Sequence, residues 1–168
     1  MPKVAVVPGD GVGKEVTREA VKVLRAVTAG ANLQLDLVEW PHGADRYLET
    51  GEAITDAEFD DLRSNYQAIL LGALGDARVA GNEHARQILL GMRFKLDLYV
   101  NFRPVRLFHE RLTPLRDKGV DDVNMVIFRE NTEGVYVGMG GTFKQGTPDE
   151  VAIQEDVNTR KGVERIIR

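Results

Sequence analysis

A short valine-rich run, Lys3 to Val7, stops at Pro8-Gly9, the mark of a buried strand. After Gly9-Asp10-Gly11-Val12-Gly13-Lys14, apolar residues return at Val16, Ala20, Val23, Leu24 and Val27, spaced by 4, 3, 1 and 3. That spacing predicts a helix with one apolar face. Leu33 to Trp40 alternates and predicts a second strand. Thr55-Asp56-Ala57-Glu58 has the spacing of a capping box and opens an acidic helix reaching about Ser64. Ala68 to Ala73 is an unbroken apolar run, expected as a central parallel strand, and it ends in Gly72 and Gly75-Asp76.

Further on, a helix is predicted from about Glu83 to Leu96, with Ile88, Leu89, Met92 and Leu96 on one side. Tyr99 to Leu107 reads as a strand interrupted by Pro104, which belongs on an edge or at a bend. A charged connector, Arg111 to Asp122, leads to a buried strand from Val123 to Phe128. Val135 to Met139 and Val151 to Asp156 are expected as short strands flanking an exposed β-arm, Gly140 to Glu150. Thr159 can cap a helix whose first apolar positions are Val163, Ile166 and Ile167. Strands alternating with helices predict an α/β class with a mainly parallel sheet flanked by helices. No repeat or low-complexity segment interrupts this order.

Composition narrows the function classes. The 168 residues are 43% hydrophobic and 29% charged, which suits a soluble globular chain. A mild acidic excess, 26 acidic against 22 basic residues, argues against nucleic acid or an anionic membrane held by charge alone. With no cysteine, disulfides and thiolate chemistry are excluded. Ala68 to Gly75, the longest uncharged apolar stretch, is far short of the ~20 residues that span a bilayer, and the N-terminal run is too short for a signal peptide. A cytoplasmic location follows as the expectation.

The glycine loop invites a nucleotide reading, but both standard phosphate loops fail. A P-loop would need glycine at Pro8 and a hydroxyl at Glu15, and the dinucleotide fingerprint would need glycine at Lys14. Arginines are more informative. Arg93 and Arg103 stand in LLGMRFKLDLYVNFRPVRL without an adjacent acidic residue, and Arg129 ends the apolar run Val126-Ile127-Phe128. Burying a guanidinium costs several kcal/mol unless an anion meets it, and its fork matches a carboxylate bidentately. These residues are therefore candidates to hold a small polycarboxylate at strand ends, with structural salt bridges as the alternative.

Read together, PGDGVGKEV at 8–16, LLGMRFKLDLYVNFRPVRL at 89–107 and FRENTEGVYVGMGG at 128–141 resemble the β-decarboxylating dehydrogenases. That family comprises the isopropylmalate, isocitrate, homoisocitrate and tartrate/D-malate enzymes. The likeness runs from residue 3 to the end of the chain and is to the N-terminal half of family members. It departs at Lys14, where a proline often opens the helix. The resemblance implies that residues 1–99 begin the large nucleotide-side domain and that 100–168 begin a second, dimerising domain. A homodimer would then interlock through the arm at 134–158.

By motif, the arginines that hold the carboxylates of a 2-hydroxy acid fall on Arg93, Arg103 and Arg129. Tyr136 matches the residue that delivers a proton to the enol after CO₂ leaves. A phenol is a weak acid, so that role needs a cation at hand. Gly72, Gly75 and Asp76 match a region along the nicotinamide end of NAD. The family's catalytic lysine and its Mg²⁺ or Mn²⁺ ligands come from the later half, and no residue here matches them.

The resemblance also bears on the substrate. Isocitrate enzymes place a serine and an asparagine on the helix before Arg93, where Gln87 and Leu89 stand here. Leu89-Leu90 looks like the apolar pocket of isopropylmalate enzymes, so NAD-dependent oxidative decarboxylation of 3-isopropylmalate, in leucine biosynthesis, is expected. Arg86 stands where those enzymes often carry an acid, and ENTEGVYVGMGG has a tartrate/D-malate look. A truncated anion-binding dimerisation module without turnover is the non-enzyme alternative. Nucleic-acid binding through Arg93, Lys95, Arg103, Arg106, Arg111 and Arg116 is disfavoured, because these are interleaved with apolar residues.

Overall fold

In the computed structural model, which describes residues 1–168, β1 (Lys3–Gly9) is the centre of a three-stranded parallel sheet. It lies between β2 (Asp36–Glu39) and β3 (Ala68–Ala73). The centre is where a valine-rich strand belongs, since both of its faces are covered. Ala5 and Val7 are fully buried, and they cluster with Trp40, Ala53, Phe59, Leu62, Ile88 and Met92. Burying a side chain of that size contributes about 1.5–3 kcal/mol. β2 is shorter than the alternating pattern suggests, because only Asp36 to Glu39 pairs with β1.

Helix α1 (Val12–Gly30) lies against β1 and β3, but rotated from the expected face. Gly13 and Thr17 are buried, whereas Val12, Val16, Val23 and Val27 are 50–63% exposed. The reason is a close approach. A Cβ on Gly13 would meet the Pro8 carbonyl and the Ala73 backbone, and one on Gly72 would meet Pro8 and Thr17. These bare backbones bring Gly13 and Thr17 to the sheet and leave the valine stripe roughly a quarter-turn away.

A helix absent from the periodicity, α2 (Ala44–Thr50), follows β2 and closes on Gly51 in the left-handed conformation. α3 (Asp56–Asn65) opens with the predicted capping box. In α4 (Glu83–Lys95), His84, Ile88 and Met92 face the core, with Gly91 seated on the Phe59 ring. Leu89 does not join them, being 36% exposed. Ile88 already occupies the inward position, and the next residue turns about 100° away from it.

The chain divides into two compact units, Met1–Leu96 and Asp97–Arg168. In the second, β4 (Val100–Arg106) pairs antiparallel with β5 (Asn124–Glu130), so the parallel order belongs to the first unit. Pro104 sits in β4 opposite Val126, on a strand with one neighbour, where a missing N–H is tolerated. The expectation of a buried strand at Val123–Phe128 does not hold. Met125, Val126, Ile127 and Phe128 are 44–57% exposed, because a two-stranded ribbon covers neither of its own faces.

The first arm strand is also displaced from its expected place. Val135–Val137 is one turn of 3₁₀ helix between left-handed Gly134 and Gly138. The ribbon is β6 (Gly140–Phe143) paired with β7 (Val151–Gln154). Thr159 caps α5 (Arg160–Ile167), accepting from the Gly162 amide at 3.0 Å. No helix is long and apolar enough to cross a membrane.

Candidate active site

Strand register settles the placement of two predicted arginines. Asn101 pairs with Arg129 and Arg103 with Ile127, so side-chain alternation puts Arg103 and Arg129 on one face of the β4–β5 ribbon as diagonal neighbours. Two guanidinium groups on one face suit a ligand with more than one carboxylate.

Arg129 is held from behind. Its guanidinium donates to Asn131 Oδ1 at 3.2 Å, and Asn101 Nδ2 donates to the same oxygen at 3.2 Å. Asn131 is 8% exposed. It donates from its side chain to the Leu98 carbonyl at 3.3 Å and from its backbone to the Tyr99 carbonyl at 2.9 Å. It is a peg between the strands, and the motif reading assigned it no role. Its only sequence signal is an amide residue at the end of an apolar strand, a common turn feature.

Arg129 stands over the Tyr136 ring, 5.7 Å from its centroid. The 3₁₀ turn carrying Tyr136 is fixed by Gln154, which donates to the Val135 carbonyl at 3.2 Å, and by the bridge from Gly134 to Val157. Arg103, Arg129 and Tyr136 therefore share the second unit.

The carboxylates nearby are committed elsewhere. Glu130 accepts from the Thr132 amide at 2.8 Å, its hydroxyl at 2.6 Å, the Glu133 amide at 2.7 Å and Arg165 at 3.0 Å. Burial pushes its carboxyl up, but these donors outweigh that and hold it below its ordinary value. Glu133 accepts from the Thr159 amide at 2.7 Å and hydroxyl at 2.6 Å, anchoring α5. No group of three or more His, Asp or Glu residues could hold a metal ion. The Mg²⁺ or Mn²⁺ that the resemblance implies therefore finds no ligand set among these residues.

In the first unit, α4 turns Arg86, Leu89, Leu90 and Arg93 away from the core, with offsets of 3, 4 and 7 residues from Arg86. Leu90, Arg86 and Gln87 line a cleft of about 520 Å³ together with Phe59 and Lys95. Arg93 lies in the last turn of the helix.

At the end of β3, Gly72 is required by packing against Pro8 and Thr17. Gly75, with φ +151°, donates its amide to Asp10 Oδ2 at 2.9 Å. The Asp76 carboxyl is held at about 2 by the Arg78 side chain and amide. Arg78 also reaches Asp45 at 2.7 Å, which accepts from Lys14 at 2.9 Å. Asp10 and His84, both buried, were not singled out in the sequence, although a carboxylate between two glycines at a strand end was visible there.

Residues 3–168 match the isocitrate/isopropylmalate dehydrogenase family. The chain is 49% identical over 166 residues to a 3-isopropylmalate dehydrogenase of Thermobifida fusca, covering 99% of this chain and 47% of that protein. It is 47% identical over 164 residues to one of Streptomyces coelicolor, covering 98% and 46%. Among solved structures, an isocitrate dehydrogenase from Methylococcus capsulatus superposes with a TM-score of 0.75 at 35% identity, over 99% of this chain and 45% of that one. The chain spans about half the length of the curated relatives it matches.

Proposed function

The chain belongs to the isocitrate/isopropylmalate dehydrogenase family, and from that premise we propose that it carries the substrate-holding part of an NAD-dependent oxidative decarboxylase acting on 3-isopropylmalate. The observation that carries the reading is Arg103 and Arg129 on one face of the β4–β5 ribbon, with Tyr136 beside Arg129. Arg103 and Arg129 bind carboxylates of the 2-hydroxy acid, the role that the motif also gives to Arg93. Charge-assisted forks of this kind fix orientation as well as affinity.

In the reaction, the hydroxyl gives up its proton and the adjacent C–H its hydride, leaving a ketone β to a carboxylate. NAD supplies the hydride acceptor when bound. The carboxylate departs as CO₂, its bond electrons forming the enolate, and Tyr136 returns a proton to the enol carbon. Arg129, which stands over the tyrosine ring, supplies positive charge where negative charge develops. Gly75 and Asp76 form the strand end against which the nicotinamide lies. A Cβ at Gly75 would meet Asn82 Oδ1 at 3.7 Å, an ordinary contact, and the Asp76–Arg78 pair holds the loop in place.

Substrate preference rests on α4. Leu89 and Leu90 stand on its outward face between Arg86 and Arg93, an apolar surface flanked by cations. That suits a branched alkyl group carried on a dicarboxylate and leaves an extra carboxylate facing leucine. The base on the hydroxyl and the cation ligands are assigned to polypeptide beyond residues 1–168. A homodimer is proposed through the β6–β7 ribbon, where Phe143, Val151 and Ile153 are exposed.

The test compares the 168-residue chain with the same chain joined to the remaining length of the Thermobifida fusca relative. NADH absorbance is followed with 3-isopropylmalate, D-malate and isocitrate. The joined protein should reduce NAD with 3-isopropylmalate, and the short chain alone should not. Turnover by the short chain would mean that the base lies within it, and a joined, folded protein inert to all three acids would refute the assignment.

A further inference from the structure

One buried carboxylate ties together two segments that the proposed function uses. Asp10 follows β1 and is 5% exposed. Its Oδ1 accepts from the Ala44 amide at 2.7 Å, at the first residue of α2. Oδ2 accepts from the Gly75 amide at 2.9 Å, at the β3 strand end, and meets His84 Nε2 at 2.8 Å, in the first turn of α4. The Asp10 amide in turn donates to the Ala73 carbonyl at 2.8 Å.

His84 is fully buried, and its Nδ1 has no hydrogen-bond partner. A neutral ring that donates from Nε2 leaves only a lone pair at Nδ1. The other tautomer would set a lone pair against the carboxylate and strand a buried N–H, which is the costlier arrangement. Burial pushes the Asp10 carboxyl up, yet the Ala44 and Gly75 amides and the His84 ring outweigh it and hold the group below its ordinary value. An ionised carboxylate has acceptor capacity for all three donors, which no other side chain of this size and shape matches.

We propose that Asp10 and His84 are positioning residues that lock the Gly75 strand end and the first turn of α4 to one another, so that the cofactor edge and the substrate helix are set as a single unit. The assignment of those two segments to cofactor and substrate rests on the proposed function, whereas the tie itself rests on the contacts just given. The salt links on the outer surface, Lys14–Asp45 between α1 and α2 and Arg78–Asp45 between the loop after β3 and α2, do not reach α4.

Amide hydrogen exchange on the 168-residue protein tests the tie directly. Asp10→Asn keeps the shape and one acceptor for Ala44, but turns an NH₂ towards Gly75 and His84. Exchange should accelerate by at least about tenfold at Gly75 and over residues 83–93, the scale of one lost charge-assisted hydrogen bond. The Ala44 amide and those of α1 should stay near wild type. His84→Leu should accelerate residues 83–93 and leave Gly75 slow, while His84→Gln, which retains a donor, should restore them. Even acceleration across Met1–Leu96, or a Gly75 amide unchanged in Asp10→Asn, would overturn the proposal. If Asp10→Asn does not fold, the His84 pair decides: equal behaviour of Leu and Gln would refute the tie.

A second readout uses the joined protein described above. Asp10→Asn should weaken both NADH and 3-isopropylmalate binding, and His84→Leu only the acid. If the wild-type joined protein binds neither ligand, the proposed function fails, while hydrogen exchange still decides whether the tie exists.

Discussion

Arg129 reaches its site through Asn131, whose Oδ1 takes a hydrogen bond from the guanidinium at 3.2 Å while its Nδ2 donates to the Leu98 carbonyl at 3.3 Å. A single buried amide thus joins the strand that carries the arginine to the segment leading into β4. Asn131→Ala removes both contacts and leaves the Leu98 carbonyl without this donor. Stability should fall by about 1–3 kcal/mol, the range for a buried group left unsatisfied. In the joined protein, KM for the acid should rise more than KM for NAD. Equal effects on both would mean that Asn131 serves packing alone.

Arg103→Lys keeps the charge but loses the fork. Substrate binding should weaken by roughly 1.5–3 kcal/mol, the range for a lost charge-assisted bond, with little change in NAD affinity. Steady-state kinetics of the joined protein measure it. A variant with near-normal kcat/KM would remove Arg103 from the carboxylate clamp.

Acid sensitivity should come from the pair formed by Arg46 and Glu58. Arg46 donates to both carboxylate oxygens, at 2.6 and 2.9 Å. Burial alone would raise Glu58, but the fork and the Thr55 amide and hydroxyl bring it from 4.5 down to about 2. A carboxyl lowered on folding stabilises above its unfolded value, and that contribution is lost as pH falls from 4.5 towards 2. Burial also pushes His42 below 6.5, so it resists protonation, and stability should begin to decline once pH drops under that value. Denaturant unfolding across this range should show the acid limb blunted in Glu58→Gln, with about 1–3 kcal/mol lost at neutral pH. An unaltered limb in that variant would place the acid sensitivity elsewhere.

Leu89 and Leu90 cannot satisfy a further buried carboxylate, whose desolvation would go unmatched. The joined protein should prefer 3-isopropylmalate to isocitrate by at least about a hundredfold in kcat/KM, some ~2.7 kcal/mol. Equal or better turnover of isocitrate would point to Arg86 as the residue that meets the extra charge.

The β6–β7 ribbon has two strands and exposed Phe143 and Ile153, a unit marginal by itself in water. Pairing of its open edges with a second copy would complete it. Deleting Gly141–Asp149 should give monomer or aggregate by sedimentation velocity. An intact dimer after the deletion would remove the arm from the interface.

Local pattern was enough for several elements. The valine run of β1, the unbroken apolar β3, the capping box of α3 and the Thr159 cap each depend on neighbours within a few residues. The three arginines stood out for a related reason, since charged groups beside apolar runs need partners, whereas Tyr136 came from the motif resemblance alone. Periodicity did not reveal α2, which spans seven residues and whose Ala44 amide bonds to a carboxylate 34 positions earlier.

Tertiary structure decided what periodicity leaves open. The valine stripe of α1 was the face that periodicity favoured, and the bare backbones of Gly13 and Gly72 brought Gly13 and Thr17 to the sheet instead. Strand register, not spacing along the chain, put Arg103 and Arg129 on one face. Asp10 joins residues 65 and 74 positions away, and Asn131 reaches back 33 to Leu98. Such ties leave no periodic trace, because a buried polar group is satisfied by whichever donor the folded chain brings within about 3 Å, whatever its distance in sequence.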